Sequence, residues 1–133
     1  MTDIARNIKH LQSIAPQSAN AGTVNGIGID FLGYQEAIIL LNAGTLSTGT
    51  IDAKVQESDD NSSFTDITGA TFAQVSSSNH LQTFRAQILR VPGRKRYLRV
   101  VAVITTAACL LSAEILLVRP DYTVRGSAPD FTK

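Results

Sequence analysis

The chain has 133 residues, of which 44% are apolar and 17% charged, and its formal net charge is +1. This length suits one domain with a single core. A nearly neutral chain has no overall electrostatic attraction to nucleic acid or to a membrane surface, so we expect neither among its partners. Cys109 is the single cysteine, which excludes a disulfide within the chain, argues against a thiolate metal site and predicts a small buried apolar side chain.

Opposite charges are concentrated in different parts of the chain. Residues 26–66 contain seven acidic residues and one lysine, whereas residues 67–113 contain six basic residues and no acidic one. Two interpretations follow. The two parts neutralise each other within one domain, or opposite faces meet the neighbouring copy in an assembly.

The first 25 residues are predicted to form an N-terminal arm. Ile4, Ile8 and Leu11 have the i, i+4, i+7 spacing of one helix face. A helix of two or three turns is marginal in water, and Pro16 would end it. The segment is either a frayed terminus or an arm that orders on a neighbouring subunit, which makes Ile4, Ile8 and Leu11 candidate partner-binding residues. No apolar run typical of a signal peptide or a membrane span is present, so we expect a soluble protein made in the cytoplasm.

Between residues 26 and 119, apolar and polar residues alternate in short runs separated by Gly, Ser and Asn, which is typical of strands and turns. The centre of residues 36–42, AIILL, is apolar on both faces, so this segment suits a central strand. Pro92–Gly93 is a turn signal, so the flanking runs are predicted to form a hairpin, with Phe84, Ala86 and Ile88 facing inward. The predicted strands are 27–31, 36–42, 51–57, 64–67, 71–75, 81–91, 95–105 and 110–118.

Seven or eight short strands with no convincing helix among them predict an all-β fold. We expect a single antiparallel β-sandwich of jelly-roll or Greek-key type. The sandwich domain is predicted to span residues 26–119. Residues 120–133 contain Pro120, Gly126 and Pro129 and are predicted to form an extended C-terminal tail.

Residues 51–67, IDAKVQESDDNSSFTDI, are predicted to form a strand, a polar turn at 57–63 and a returning strand. Carboxylates are suitable ligands for Ca²⁺, but their spacing here does not match an EF-hand loop. Asp and Asn are also favoured in turns, where they hydrogen-bond to the local backbone. We therefore predict a solvated turn and no metal site. The predicted core residues are Ile51, Ala53, Val55, Phe64 and Ile67, and the acidic residues are Glu57, Asp59, Asp60 and Asp66.

No arrangement of residues points to catalysis. His10 lies in the predicted arm and His80 in a predicted loop, so a triad of nucleophile, histidine and acid has no scaffold. Nothing indicates a cleft with a second carboxylate of raised pKa. We expect a protein that is not an enzyme and that binds no cofactor.

The basic turn RVPGRKRYLR is the remaining candidate site. Its cations are suited to phosphates or to an acidic protein surface. Nucleic-acid binding usually involves several such clusters and several stacking aromatics, and only Tyr97 lies nearby. The turn is a solvated tip, an interface with an acidic partner or, as the weakest alternative, a nucleic-acid contact. Its candidate partner-binding residues are Arg94, Lys95, Arg96 and Arg99. Glycan binding is a weaker alternative, because the chain has no tryptophan.

Three segments together resemble small structural proteins of tailed bacteriophages. They are DFLGYQEAIILLNAG, IDAKVQESDDNSSFTDITGATF and GRKRYLRVVAVI. The opening IARNIKHLQSIAPQS is similar to the N-terminal arm of that group, and the resemblance extends from Ile4 to Pro120.

The resemblance implies a capsid decoration (cement) protein: a jelly-roll virion component, often a homotrimer, that clamps neighbouring major capsid subunits on the capsid exterior. The major capsid protein would then be the partner. A phage tail, head-fibre or baseplate component is the alternative within the same class, and a glycan-binding module is the alternative outside it.

Overall fold

All regular structure in the described part of the chain is β-strand. The structure, a computed structural model, describes residues 8–46, 48–78, 83–106 and 108–120, and these ranges contain no helix. The strands are β1 (Lys9–Ala19), β2 (Gly22–Asn25), β3 (Ile29–Asp30), β4 (Tyr34–Ala43), β5 (Ile51–Ser58), β6 (Thr65–Thr71), β7 (Thr83–Leu89), β8 (Tyr97–Ile104) and β9 (Cys109–Pro120).

The strands form two antiparallel sheets. Sheet 1 has the order β1-β9-β4-β7, and sheet 2 has the order β2-β8-β5-β6, with the short β3 also paired with β8. If β2 and β3 are counted as one interrupted strand, the order is that of an eight-stranded jelly roll. The predicted all-β sandwich is confirmed.

The core lies between the sheets, as the alternation of side chains requires. In β4, Ala37, Ile39 and Leu41 are fully buried, whereas Ile38 and Leu40 are half-buried on the outer face of sheet 1. Buried residues from both sheets form one cluster, and each fully buried aliphatic side chain contributes roughly 1.5–3 kcal/mol relative to exposure.

Most of the predicted core residues are confirmed. Ile51, Ala53, Val55 and Ile67 are buried, as is the Cys109 side chain at the start of β9. The prediction for Phe64 is wrong, because this residue is only half-buried.

The helix predicted near the N-terminus is wrong over the described residues. Lys9–Ala19 is an edge strand of sheet 1 and runs antiparallel to β9. Leu11 packs against the core and Ile14 is buried. The register shifts on both sides of Ile14, and such bulges interrupt the period-two pattern in the sequence. Pro16 is tolerated because an edge strand need not supply every N–H to a ladder.

Ser13 connects β1 to sheet 2. Its buried Oγ accepts a hydrogen bond from the Val100 N–H and donates one to the Ile27 carbonyl, both at 3.0 Å. Gly26 permits this close approach, since a Cβ there would lie 2.3 Å from Ser13 Oγ. Residues 9–25, which the sequence assigned to the arm, therefore belong to the sandwich.

The hairpin predicted around Pro92–Gly93 is wrong, although the turn is present. The Arg94 N–H donates to the Val91 carbonyl at 3.0 Å, and Gly93 has φ +91°, as in a type II turn. The flanking strands lie in different sheets, because β7 pairs with β4 and β8 pairs with β5. The inward orientation predicted for Phe84, Ala86 and Ile88 is confirmed.

The two strands predicted at 64–67 and 71–75 are a single strand, β6, with an irregular centre. The register against β5 shifts within β6, and Gly69, at φ +81°, lies in the shifted part. Val75 retains only an isolated bridge to Ile51. At the far end of the chain, β9 ends at Pro120, and residues 121–133 of the predicted tail lie outside the described residues.

Candidate functional site

Three segments that are distant in the sequence meet at one end of the sandwich, which we call the motif end. They are residues 28–34, 57–64 and 90–99. β3 pairs with the start of β8, and the end of β5 pairs with the same part of β8. A Cβ on Gly28 would lie 1.8 Å from Asn61 Oδ1, so the first segment packs directly on the second.

Arg94 is held by Glu57. Arg94 Nη1 lies 3.0 Å from Glu57 Oε1, and the two side chains are only 17% and 13% exposed. The Lys95 backbone N–H donates to the same oxygen at 3.0 Å. A partly buried ion pair that also accepts a backbone hydrogen bond fixes the position of the turn relative to β5.

Arg96 makes a two-pronged contact with Asp30. Its Nε and Nη2 atoms donate to the two carboxylate oxygens at 3.0 and 2.8 Å. The hydrogen bonds from Arg96, together with one from the Leu32 N–H, hold the pKa of Asp30 below its usual value. This pair and the Arg94–Glu57 pair join the acidic and basic parts of the chain, which supports their neutralisation within one domain.

Arg99 is also engaged within the chain. Its Nε donates to Gln56 Oε1 at 2.9 Å, and its guanidinium lies 4.1 Å from the centroid of the Phe64 ring. Burial lowers the pKa of the Arg99 guanidinium, and the ring face provides a cation–π contact that offsets part of the lost hydration.

Arg90 is a structural residue that the sequence did not single out. Its Nε donates to the Tyr34 carbonyl at 2.6 Å, its Nη2 donates to the Phe31 carbonyl, and its guanidinium lies 4.3 Å from the Phe31 ring centroid. These contacts of Arg90 connect the turn between β3 and β4 to the end of β7. No feature of the sequence distinguishes Arg90 from its basic neighbours, because its partners are mainly carbonyl groups.

The acidic turn is organised by Asp60. Its Oδ1 accepts hydrogen bonds from the Ser58 hydroxyl at 2.8 Å and from the Ser62 and Ser63 N–H groups, both at 2.9 Å. These bonds, with that from Ser63 the largest contribution, lower the pKa of Asp60 to about 2. The prediction that this acidic residue serves the turn's own backbone is confirmed. Across the described ranges, no three His, Cys, Asp or Glu side chains are grouped as metal ligands would be.

The candidate partner-binding residues are therefore placed in different environments. Ile4 lies outside the described residues, Ile8 is half-buried just before β1, and Leu11 faces the core. Arg94 and Arg96 are paired with acids of the same chain, and Arg99 with an amide and a ring. The Lys95 side chain forms no ion pair within the described ranges. A role of these residues in binding a partner stays a prediction.

The outer face of sheet 2 is a polar network. Asp66 accepts hydrogen bonds from Lys54 at 3.0 Å and from Gln56 at 2.8 Å. Asp52 accepts one from Gln74 at 2.9 Å. Polar side chains here bond to one another across neighbouring strands, which suits a face in contact with water.

The outer face of sheet 1 has an apolar centre instead. Ile38 of β4 lies opposite Leu116 of β9, with Leu40 and Val118 next along the two strands. All four are half-buried, and no described strand lies over them. On β7, Leu89 is 47% exposed on the same face.

The chain has no close match among known families. No family model and no curated protein match it. Among solved structures, it is similar to the infectious bursal disease virus VP2 subviral particle, with a TM-score of 0.42 and 12% identity over 87% of this chain and 33% of that one. It is also similar to the structure of infectious bursal disease virus Gt strain, with a TM-score of 0.29 and 10% identity over 89% of this chain and 43% of that one. The chain thus spans less than half of either protein. Similarities of this size establish neither a family nor a function.

No helix in the described ranges is long and apolar enough to cross a membrane.

Proposed function

We propose that this chain is a non-enzymatic virion structural protein, a decoration protein on the capsid exterior of a tailed bacteriophage. It would bind the major capsid protein and clamp neighbouring subunits. The observation that supports the proposal is the jelly-roll sandwich, taken together with the resemblance of residues 30–44, 51–72 and 93–104 to phage structural proteins.

The jelly-roll fold is compatible with a decoration protein, but it does not distinguish this function from others. Jelly-roll sandwiches occur in viral capsid domains and in lectins alike, and function has to be argued from the surface. At the motif end, the rings of Phe31, Phe64 and Tyr97 each have an arginine guanidinium over them. They are therefore occupied as stacking surfaces on that side, and no observation favours the glycan-binding alternative.

The basic turn is the proposed contact with the shell. Glu57 and Asp30 already neutralise Arg94 and Arg96, so Lys95 is the cation of the basic turn best able to meet an acidic capsid surface. Many modest contacts of this kind, repeated over neighbouring subunits, give high avidity without a deep binding site.

The first experiment asks whether the protein is in the particle. Purified heads and tails are separated, and their proteins are identified by gel and mass spectrometry. We expect the chain in mature heads at a copy number comparable to that of the shell subunits. Its absence from heads would refute the decoration function, and its presence in tails alone would select the tail or baseplate alternative.

The second experiment tests the contacts. Removal of residues 1–7 leaves β1 intact, whereas removal of residues 1–25 would delete an edge strand and the buried Ser13. We expect the shorter deletion, and separately Lys95→Ala, to lower occupancy on heads or the heat resistance of the particle. Lys54→Ala is the matched control, because Lys54 lies in the polar network of sheet 2. Unchanged occupancy in both test variants would exclude these contacts. The mass of the free protein tests the homotrimer implied by the resemblance.

A further inference from the structure

On the outer face of sheet 1, β9 and β7 flank β4 on its two sides, and β1 lies beyond β9. The outward residues of β9, β4 and β7 form four cross-strand rows, each with one residue from each of these strands. The rows are Val118–Glu36–Leu89, Leu116–Ile38–Gln87, Glu114–Leu40–Arg85 and Ser112–Asn42–Thr83. Neighbouring strands lie about 4.8 Å apart, so the β9 and β7 members of each row are equally distant from β4.

This arrangement makes the face complementary to itself. A two-fold axis along β4, in the plane between two copies, exchanges the β9 side of one copy with the β7 side of the other. Glu114 then faces Arg85 of the second copy, and Val118 faces Leu89. Along the axis, Ile38 and Leu40 meet their own counterparts.

The charges of Arg85 and Glu114 favour this pairing of the two copies. Arg85 is exposed and has no ion pair within the described ranges, although every other described arginine of the basic part is bonded within the chain. Glu114, on the far side of β4, is bonded to Asn42 and to a histidine, His10, and forms no ion pair with a lysine or arginine of the described ranges. Glu36, which would face its counterpart, is bonded to Gln87 and paired with Arg119, which reduces the repulsion on the axis.

We propose that the outer face of sheet 1 is a two-fold interface between copies of this chain, with an aliphatic centre around Ile38 and Leu40 and reciprocal Arg85–Glu114 pairs. The inference does not depend on the proposed function, and its dimer replaces the homotrimer that the resemblance implies. An isologous contact uses each pair twice, so a single charge reversal perturbs two places in the dimer.

A charge swap tests the interface. Wild type, Arg85→Glu, Glu114→Lys and the double variant are compared by sedimentation equilibrium and light scattering over a range of concentrations, with circular dichroism to verify folding. We expect the wild type to have the mass of two chains, each single variant to raise the dissociation constant by about tenfold, and the double variant to restore it. Lys54→Glu, the same reversal on the outer face of sheet 2, is expected to leave the dimer intact.

Several results would overturn the proposal. They are a wild type that is monomeric at all concentrations, a mass of three chains, an Arg85→Glu variant that associates like wild type, and a double variant no better than Glu114→Lys. The double variant matters because Glu114→Lys alone also removes the hydrogen bonds to Asn42 and His10. The double variant lacks the same hydrogen bonds, so restored dimerisation in it cannot come from those contacts within one chain.

Discussion

Replacing Ser13 with alanine tests whether the N-terminal segment is part of the sandwich. The change deletes one oxygen atom that is 3.0 Å from both the Val100 N–H and the Ile27 carbonyl. Val100 is fully buried, so its N–H is left without a partner, which costs about 1–3 kcal/mol. Ile27 is 65% exposed, so we expect the bond lost at its carbonyl to cost less than the one lost at the Val100 N–H.

The assay is urea unfolding. With a urea dependence of about 1–3 kcal/mol per molar for a domain of this size, the midpoint is expected to fall by about 1 M. Ser18→Ala is the matched control, because Ser18 is an exposed serine of the same strand, and surface changes usually remain within about 0.5 kcal/mol. If Ser13→Ala unfolds at the wild-type midpoint, the Ser13 hydrogen bonds do not hold β1 to sheet 2 as described.

Four further outcomes follow from the contacts described. Glu57→Ala should lower the free energy of unfolding by about 2–4 kcal/mol, because two charge-assisted hydrogen bonds to its carboxylate are lost, and urea unfolding measures this. Gly26→Ala should be strongly destabilising in the same assay, since its Cβ would overlap Ser13 Oγ. Asp60 has a folded pKa of about 2 against an unfolded value of about 3.9; its stabilisation is present above pH 4 and lost as the pH falls toward 2, so Asp60→Asn should flatten the acid limb of a stability–pH curve. The Cys109 thiol is buried, which raises its pKa, so a thiol reagent should react at the rate of unfolding; rapid reaction of the folded protein would contradict the burial.

The strands that the sequence predicts well are those with an uninterrupted alternation. β4, β5, β8 and β9 lie within a few residues of the predicted runs, because in each of them at least three successive inward residues are aliphatic. β1 was not predicted, because its bulges place Ile14 out of phase with Leu11 and because Pro16 suggests an end where there is none. Local spacing favoured a helix, and pairing with β9 overrode it.

The alternation of apolar and polar residues predicts strands, but it does not indicate which strands pair. The turn at Pro92–Gly93 is correct in type, yet it carries the chain from one sheet to the other. A hairpin and a crossing between sheets need the same local residues, and the difference lies in the distant strands with which β7 and β8 pair. The sandwich was therefore predictable, whereas the neighbour of each strand was not.

The candidate site was misjudged for a related reason. In the sequence, the run RKRYLR has no acidic residue close to it, so its charge appears unneutralised. Its acidic partners Asp30 and Glu57 lie more than 35 residues away in the chain. Only the pairing of β3 and β5 with β8 brings those carboxylates next to Arg96 and Arg94. The charges that looked most available for a partner thus contribute first to the protein's own stability.

The opposite argument applies to β4. The fold needs only Ala37, Ile39 and Leu41 to be apolar, because those side chains face the core. Ile38 and Leu40 face outward, where polar residues such as those of sheet 2 would serve a solvated surface equally well. The run AIILL predicted a central strand, and β4 is central in its sheet, but one of its apolar faces is left uncovered by the described strands. Residues that the fold does not require to be apolar are better evidence for an interface than charges that the fold already uses. Contact between copies of this chain is therefore to be sought first on the outer face of sheet 1 rather than at the basic turn.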